Sequence, residues 1–378
     1  MSKVSIVSCP DYEINAVRAA LEAALDPIGG LDFVRPGMKI AVKANLVSMM
    51  KPESAATTHP ALLYALSEML IKKGAEVVIG DSPGGLYTSP YVNQVYAATG
   101  LKKVTETGAK LNQNFSHRHT ENPNGVIVKD LEYTTYLDDA DAIINFCKLK
   151  THGMMGMSAC VKNMFGVIPG TFKPEYHYKY PKHTEFADML VDLNVRFPQQ
   201  LVIVDAITGM EGNGPTAGTP RHIGAILASD SPYACDRICA KIIGLDEKEL
   251  ETVQAAEKRG LNDEITLYGN PDSFIVSDYE LVRTRKETDF GHGRQSLIGG
   301  LLGKIIHWAL CSVPSVQKRA CIGCKKCMNI CPAKAIVMKS QKPVIDRKAC
   351  IRCFCCQEFC PVGAMKVKRP AIAKILNR

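Results

Sequence analysis

Nine of the chain's fifteen cysteines fall between Cys321 and Cys360, and their order repeats. Cys321-x2-Cys324-x2-Cys327-x3-Cys331-Pro332 is followed by Cys350-x2-Cys353-x2-Cys356-x3-Cys360-Pro361, so each cysteine and the closing proline recur 29 residues on. This duplication constrains the fold of the segment more than any other feature. Two-residue gaps let one tight loop present three thiolates to three corners of a metal cluster, and here the loop is made twice. A structural zinc site usually reads as two cysteine pairs around a longer spacer, not four cysteines in eleven residues, twice. Disulfide frameworks belong to short secreted chains. A chain of 378 residues whose first residues run straight into the strand-like Val4–Val7, with clustered cysteines, points instead to metal binding in a reducing cytoplasm.

The repeated run resembles that of the bacterial two-cluster ferredoxins, in which the fourth cysteine of each run serves the other cluster. The resemblance implies two [4Fe–4S] clusters in a small α+β module. One would be held by Cys321, Cys324, Cys327 and Cys360, the other by Cys350, Cys353, Cys356 and Cys331. Clusters shared in this way would staple together a segment of about sixty residues, which has only a marginal core unaided. Cys355 breaks the repeat. The period favours Cys356 as the ligand and leaves Cys355 as a small buried hydrophobe. Charge follows the cysteines: Lys318 to Arg378 carries 15 basic residues against Asp346 and Glu358, while the rest of the chain is net −5. Basic residues there offset anionic clusters and suit an acidic redox partner protein. No recognised motif for binding nucleic acid accompanies them, which argues against that partner.

Residues 1 to about 290 alternate β-branched runs with helical patterns, as an α/β fold with a mostly parallel sheet does. Strands are expected at Val4–Ser8, Lys39–Lys43, Glu76–Ile79, Ala142–Phe146, Leu201–Asp205, Ile223–Ala228 and Ser273–Val276. Helices are expected at Glu13–Leu25, Pro60–Lys73 and Ala234–Ile243, the second opened by a Thr cap before Pro60 and stopped at Gly74. Cys235 and Cys239, one helical turn apart, should face the core. The expected organisation is a 1–290 α/β domain, a 291–317 helical connector, a 318–370 two-cluster module and a 371–378 basic tail. Leu297, Ile298, Leu301, Leu302, Ile305 and Ile306 stripe the connector. The stripe packs on the main domain or, alternatively, lies on a membrane surface. No run approaches the ~20 uninterrupted apolar residues of a membrane span.

Several expected strands end in loops of unusual composition: Lys43-Ala44-Asn45, Gly80-Asp81-Ser82-Pro83-Gly84-Gly85, Lys148-Leu149-Lys150-Thr151-His152-Gly153 and Asp205 through Pro220. Ligands of open α/β sheets bind beyond the carboxyl ends of strands, so a site is expected there. Together with Thr57-Thr58-His59-Pro60, Val161 to Gly170 and the C-terminal cysteines, these segments make the chain resemble a widespread family of iron–sulfur proteins. Its members join a large domain of unknown function, the one numbered 362, to a two-cluster ferredoxin domain. The resemblance implies an α/β fold and a redox setting and supplies no substrate.

The residues themselves offer Lys43, Lys150 and Lys162 with Asn45 and Asn163 to bind an anionic substrate or cofactor such as a carboxylate or phosphate. His59, His152, His177, His183 and His222 offer proton transfer or metal ligation. Each has an ordinary alternative: a lysine paired to Asp81 or Asp205, a histidine capping a turn. A helical pattern starting near Gly156 would add a helix N-terminus to the anion site. Met154-Met155-Gly156-Met157 is a soft metal site or core filler. No Walker-type loop, Gly-x-Gly-x-x-Gly or nucleophile elbow is present. The leading expectation is an electron-transfer protein whose clusters relay low-potential electrons to or from the large domain. As an enzyme it would be a ferredoxin-linked oxidoreductase with His152 or His177 as proton donor. The competing expectation is a non-catalytic carrier or an assembly and docking factor. A further flavin or metal in the large domain is left open by these residues.

Overall fold

The protein is described from a computed structural model, which covers residues 1–282 and 313–368. The expected connector therefore lies almost wholly outside the described residues, as does the basic tail.

The chain runs β1 (Ser2–Ser8), α1 (Ile14–Leu25), β2 (Lys39–Lys43), α2 (Pro60–Lys72), β3 (Glu76–Gly80), α3 (Ser89–Ala98), β4 (Lys110–Leu111), β5 (His117–Glu121) and β6 (Asp130–Thr134). It continues with β7 (Ala142–His152), β8 (Gly156–Ser158), α4 (Cys160–Asn163), α5 (Lys173–Lys179), α6 (His183–Arg196), β9 (Leu201–Glu211), β10 (Thr219–Ser229), α7 (Pro232–Ile242), α8 (Glu251–Glu257) and β11 (Ile265–Tyr268). Nine strands form one sheet in the order β11-β1-β10-β9-β7-β2-β3-β4, with β8 folded back on β7. The run β9-β7-β2-β3-β4 is parallel throughout, and antiparallel pairing enters only at β10 and β8. The expected mostly parallel α/β sheet is what the chain builds.

Helices cover both faces. On one, Val17, Leu21, Leu62, Leu66, Val92 and Val95 from α1 to α3 pack on Ile40, Val42, Ile144 and Phe146. The other is covered by α6 with Phe186, Leu190 and Leu193, and by α7 with Cys235, Ile238 and Cys239. Strands enclosed on both sides can be apolar at every position, which is why Ile40-Ala41-Val42 and Ile143-Ile144 read as continuous runs. Cys235 and Cys239 do face the core, and Cys147 and Cys160 meet there with sulfurs 3.7 Å apart.

Three local expectations differ from the structure. His59, not a threonine, caps α2: its Nδ1 accepts the Ala61 N–H at 3.3 Å, while Thr58 ties Asn45 to the Phe146 carbonyl. Segment 273–276 is no strand. The edge position belongs to β11, which pairs parallel to β1. Strands β7 and β9 run on for six residues beyond their expected ends.

The C-terminal module repeats its sequence period in three dimensions. Strand β12 (Val313–Val316), helix α9 (Lys326–Asn329) and β13 (Ile336–Lys339) recur 29 residues later as β14 (Lys342–Ile345), α10 (Cys355–Glu358) and β15 (Met365–Lys368). Each half's first strand pairs antiparallel with the other half's last, β12 with β15 and β14 with β13. The two halves are thus exchanged around a shared core of Cys327, Ile336, Cys356 and Met365.

Candidate functional site

The parallel strands reverse their direction of travel across the sheet between β2 and β7: β3 and β4 extend outward from β2, β9 and β10 from β7. Such a switch point opens a crevice at the carboxyl edge. Lys43 ends β2, Asn45 follows it, and Lys150 lies near the end of β7. Side chains alternate along β7, so Lys148 and Lys150 continue the face begun by Ile144 and Phe146. The strand turns from aliphatic to cationic where the helices stop covering it.

A hydrogen-bond chain crosses the crevice. Lys150 Nζ donates to Asn45 Oδ1 (2.6 Å) and to the Ala56 carbonyl (2.7 Å). Asn45 Nδ2 donates to Asn163 Oδ1 (3.0 Å), which also accepts from Lys43 Nζ (3.1 Å). Lys43 then pairs with Asp81 at 2.7 Å, with both side chains buried, and Asp81 accepts the Leu46 N–H at 2.8 Å. Four of the five expected binding residues are joined directly in this way. Gly166 makes room for the ion pair: a Cβ there would lie 2.1 Å from Asp81 Oδ1 and 2.5 Å from Lys43 Nζ.

Above the chain is a pocket of about 60 Å³ lined by Asn45, Lys150, Lys162, Asn163, Asp81, Ser82, Phe165 and Lys173 on the α/β side. Its roof is Glu358 and Phe359, from the strip between Cys356 and Cys360. Lys162 sits over the Phe165 ring at 5.6 Å, and Lys173 reaches the Ser82 carbonyl. Burial pushes Lys150 down to about 7 and Lys173 down to about 8, and lowers Lys43 and Lys162 as well. Burial alone would raise Glu358. Lys162 and the hydrogen bond from His152 outweigh it and hold the carboxyl below the usual range.

His152 and His177 stand behind the lining. The His152 Nδ1 accepts the N–H groups of Met154 and Met155 (both 3.1 Å), which leaves Nε2–H to donate to Glu358 at 2.9 Å. Burial takes its pKa down to about 4, so the ring is a neutral donor that positions the roof carboxylate. His177 stacks on Phe186 at 4.5 Å, and burial takes it down to about 3. Met154 and Met155 are core residues. The expected helix N-terminus is absent, since 156–158 is a strand and α4 has only four residues. Lys148 does not reach the pocket. It pairs with buried Asp205 (2.9 Å), where Tyr12 also donates, and His59 stacks on Tyr12 at 3.6 Å. Glu358 and Lys173, missing from the residues expected from sequence, carry no local signal: each reaches the pocket only through tertiary packing.

In the C-terminal module one cavity is lined by Cys321, Cys324, Cys327 and Cys360, and a second by Cys331, Cys350, Cys353 and Cys356. These are the two crossed sets, four thiols facing each space, which fits a pair of cubane clusters. Cys355 also borders the second cavity, against Cys353. The module is seated on the large domain. Buried Gln357 donates to the carbonyls of Asn213 (2.8 Å) and Gly214 (3.2 Å), Val367 N–H to Asn213 Oδ1 (3.2 Å), and Lys366 to the Ala217 carbonyl (3.1 Å).

Fold and site together define an iron–sulfur protein in which a ferredoxin-type module is docked on an α/β domain. The chain belongs to the family of the domain of unknown function DUF362, whose model matches residues 40–241, and a 4Fe–4S dicluster domain matches residues 314–361. It is 30% identical over 305 residues to a thylakoid-associated protein of Synechocystis sp., covering 77% of this chain and 91% of that one. Among solved structures, the lactate racemase apoprotein of Thermoanaerobacterium thermosaccharolyticum aligns at a TM-score of 0.35 and 14% identity, over 53% of this chain and 49% of that one. No helix among the described residues is long and apolar enough to cross a membrane.

Proposed function

We propose that the chain is a cytoplasmic, ferredoxin-linked oxidoreductase in which two [4Fe–4S] clusters exchange low-potential electrons with a substrate or cofactor bound in the lysine pocket. The observation that carries this reading is the roof: Glu358 and Phe359 line the pocket and lie between Cys356 and Cys360, the expected ligands of one cluster and the other. A pocket closed by a loop that holds clusters would put reactant and electron source side by side.

In this reading the clusters supply single electrons. Asn45, Lys150, Lys162 and Asn163 bind and polarise the occupant, while Lys43 supports them from beneath through Asp81 and Asn163. Lys150, depressed to about 7, is the better proton donor at the pocket, while His152 orients Glu358 and His177 supports Phe165 from behind, with ring centroids 5.5 Å apart. The basic surface of the module suits an acidic protein as electron partner.

The test is a redox titration of anaerobically purified protein, read by electron paramagnetic resonance. A cation near a cluster stabilises its more negative reduced state, so Lys162→Met should lower the potential of at least one cluster at unchanged iron content. Unchanged potentials would detach the pocket from the clusters. The protein would then be a carrier or docking factor.

A further inference from the structure

We infer that the occupant of the pocket is a compact dianion: a phosphate, or two carboxylates on one small molecule. This rests on the proposed reading that the pocket is an anion site, and it narrows that site to a class. Lys150, Lys162 and Lys173 line the space, and Lys43 lies beneath it on Asp81 and Asn163. Against these four cations stand two carboxylates, Asp81 and Glu358. Both nearby histidines are neutral, so lysines outnumber carboxylates around the space.

The hydrogen-bond inventory agrees. An ammonium has three N–H donors. Lys150 uses two on neutral oxygens, and Lys173 uses one on the Ser82 carbonyl. Among the described residues the Lys162 ammonium makes no hydrogen bond, and faces the Phe165 ring and the Glu358 carboxylate. Donors are therefore left over on three separate ammonium groups around one space. Lys150 is fully buried and Lys162 and Lys173 are half-buried, and desolvation lowers their basicity, to about 7 for Lys150 and about 8 for Lys173. An anion with three or more oxygens can give each of the three ammonium groups its own acceptor, whereas a monocarboxylate has only two oxygens.

Size sets the other limit. A space of about 60 Å³, on the order of a few waters, suits a small anion such as a phosphate or a short dicarboxylate.

The test is calorimetric titration of the full, cluster-loaded chain under anaerobic conditions at about pH 7.5. Inorganic phosphate, malonate and acetate are the probes. One of the two dianions should bind at least about tenfold more tightly than acetate, and its identity tells phosphate from dicarboxylate. Lys162→Met should remove at least about tenfold of that affinity and Lys162→Arg should restore most of it, with iron content and visible spectrum unchanged throughout. Acetate binding as tightly as both dianions overturns the inference and leaves the anion site standing. Binding of none of the three overturns it too, and the electron-relay reading is judged separately by the cluster potentials of the same Lys162→Met protein.

Discussion

Lys150 and Lys173 show at the scale of single residues how burial turns an ordinary surface group into a titratable one near neutrality. Both are cations when protonated and neutral otherwise, and only the ammonium form attracts an anion. With Lys150 at about 7 and Lys173 at about 8, affinity for malonate, a dianion throughout this range, should be highest below pH 7 and fall as pH rises through 7 to 8. Titrations across pH 6 to 9 in buffers of differing ionisation heat should also record proton uptake on binding. Lys162→Met leaves both lysines in place, so the weaker binding of that variant should keep the same pH trend. Another residue-scale expectation concerns Cys355, which borders the second cavity beside Cys353 and Cys356. Cys355→Ala should keep the full iron content, whereas Cys356→Ser should lose the signal of one cluster. Loss of iron from the Cys355 variant would assign the ligand to the wrong neighbour. The repeat sets these two cysteines apart as an expectation, because ligand spacing is a local property.

Strand β7 carries the argument at the scale of elements. Sequence reading ended it at Phe146, because Lys148, Lys150 and His152 look like a polar loop. The strand continues because its neighbours satisfy those groups: Asp205 on β9 pairs with Lys148, Asn45 after β2 accepts from Lys150, and β8 folds back along 150–152. A charge inside a strand is tolerated where the adjoining strands bring its partner, and that partner is distant in sequence. The 3₁₀ turn at Met164–Val167 has the complementary role of leaving space. Gly166→Ala would drive a methyl group into the Lys43–Asp81 pair. Breaking a buried pair costs about 3–5 kcal/mol, so this variant should lose stability on that order in urea denaturation of the anaerobic protein. A cost within about 0.5 kcal/mol, the range of ordinary surface changes, would show that the pair tolerates displacement.

For the whole molecule, the decisive feature is the seating of the cluster module over the crevice. Gln357, with no exposed surface, donates to two carbonyls of the 212–214 loop. Gln357→Ala strands both acceptors, a cost of about 1–3 kcal/mol, and should speed hydrogen exchange in 212–217 and 150–154 while β2 and β3 stay protected. Unaltered exchange would mean the module is held by other contacts. The cysteine period, the α/β alternation and the lysines and asparagines at the strand ends were all determined by sequence alone, because each depends on spacing or alternation within a short stretch. Tertiary structure decided the rest. Lys173 and Glu358 join Lys150 at one pocket only through the docking of two domains, and Lys43 and Lys148 find their acids across the sheet. Electrostatics depends on distance in space, and no spacing along the chain records which charges folding brings together.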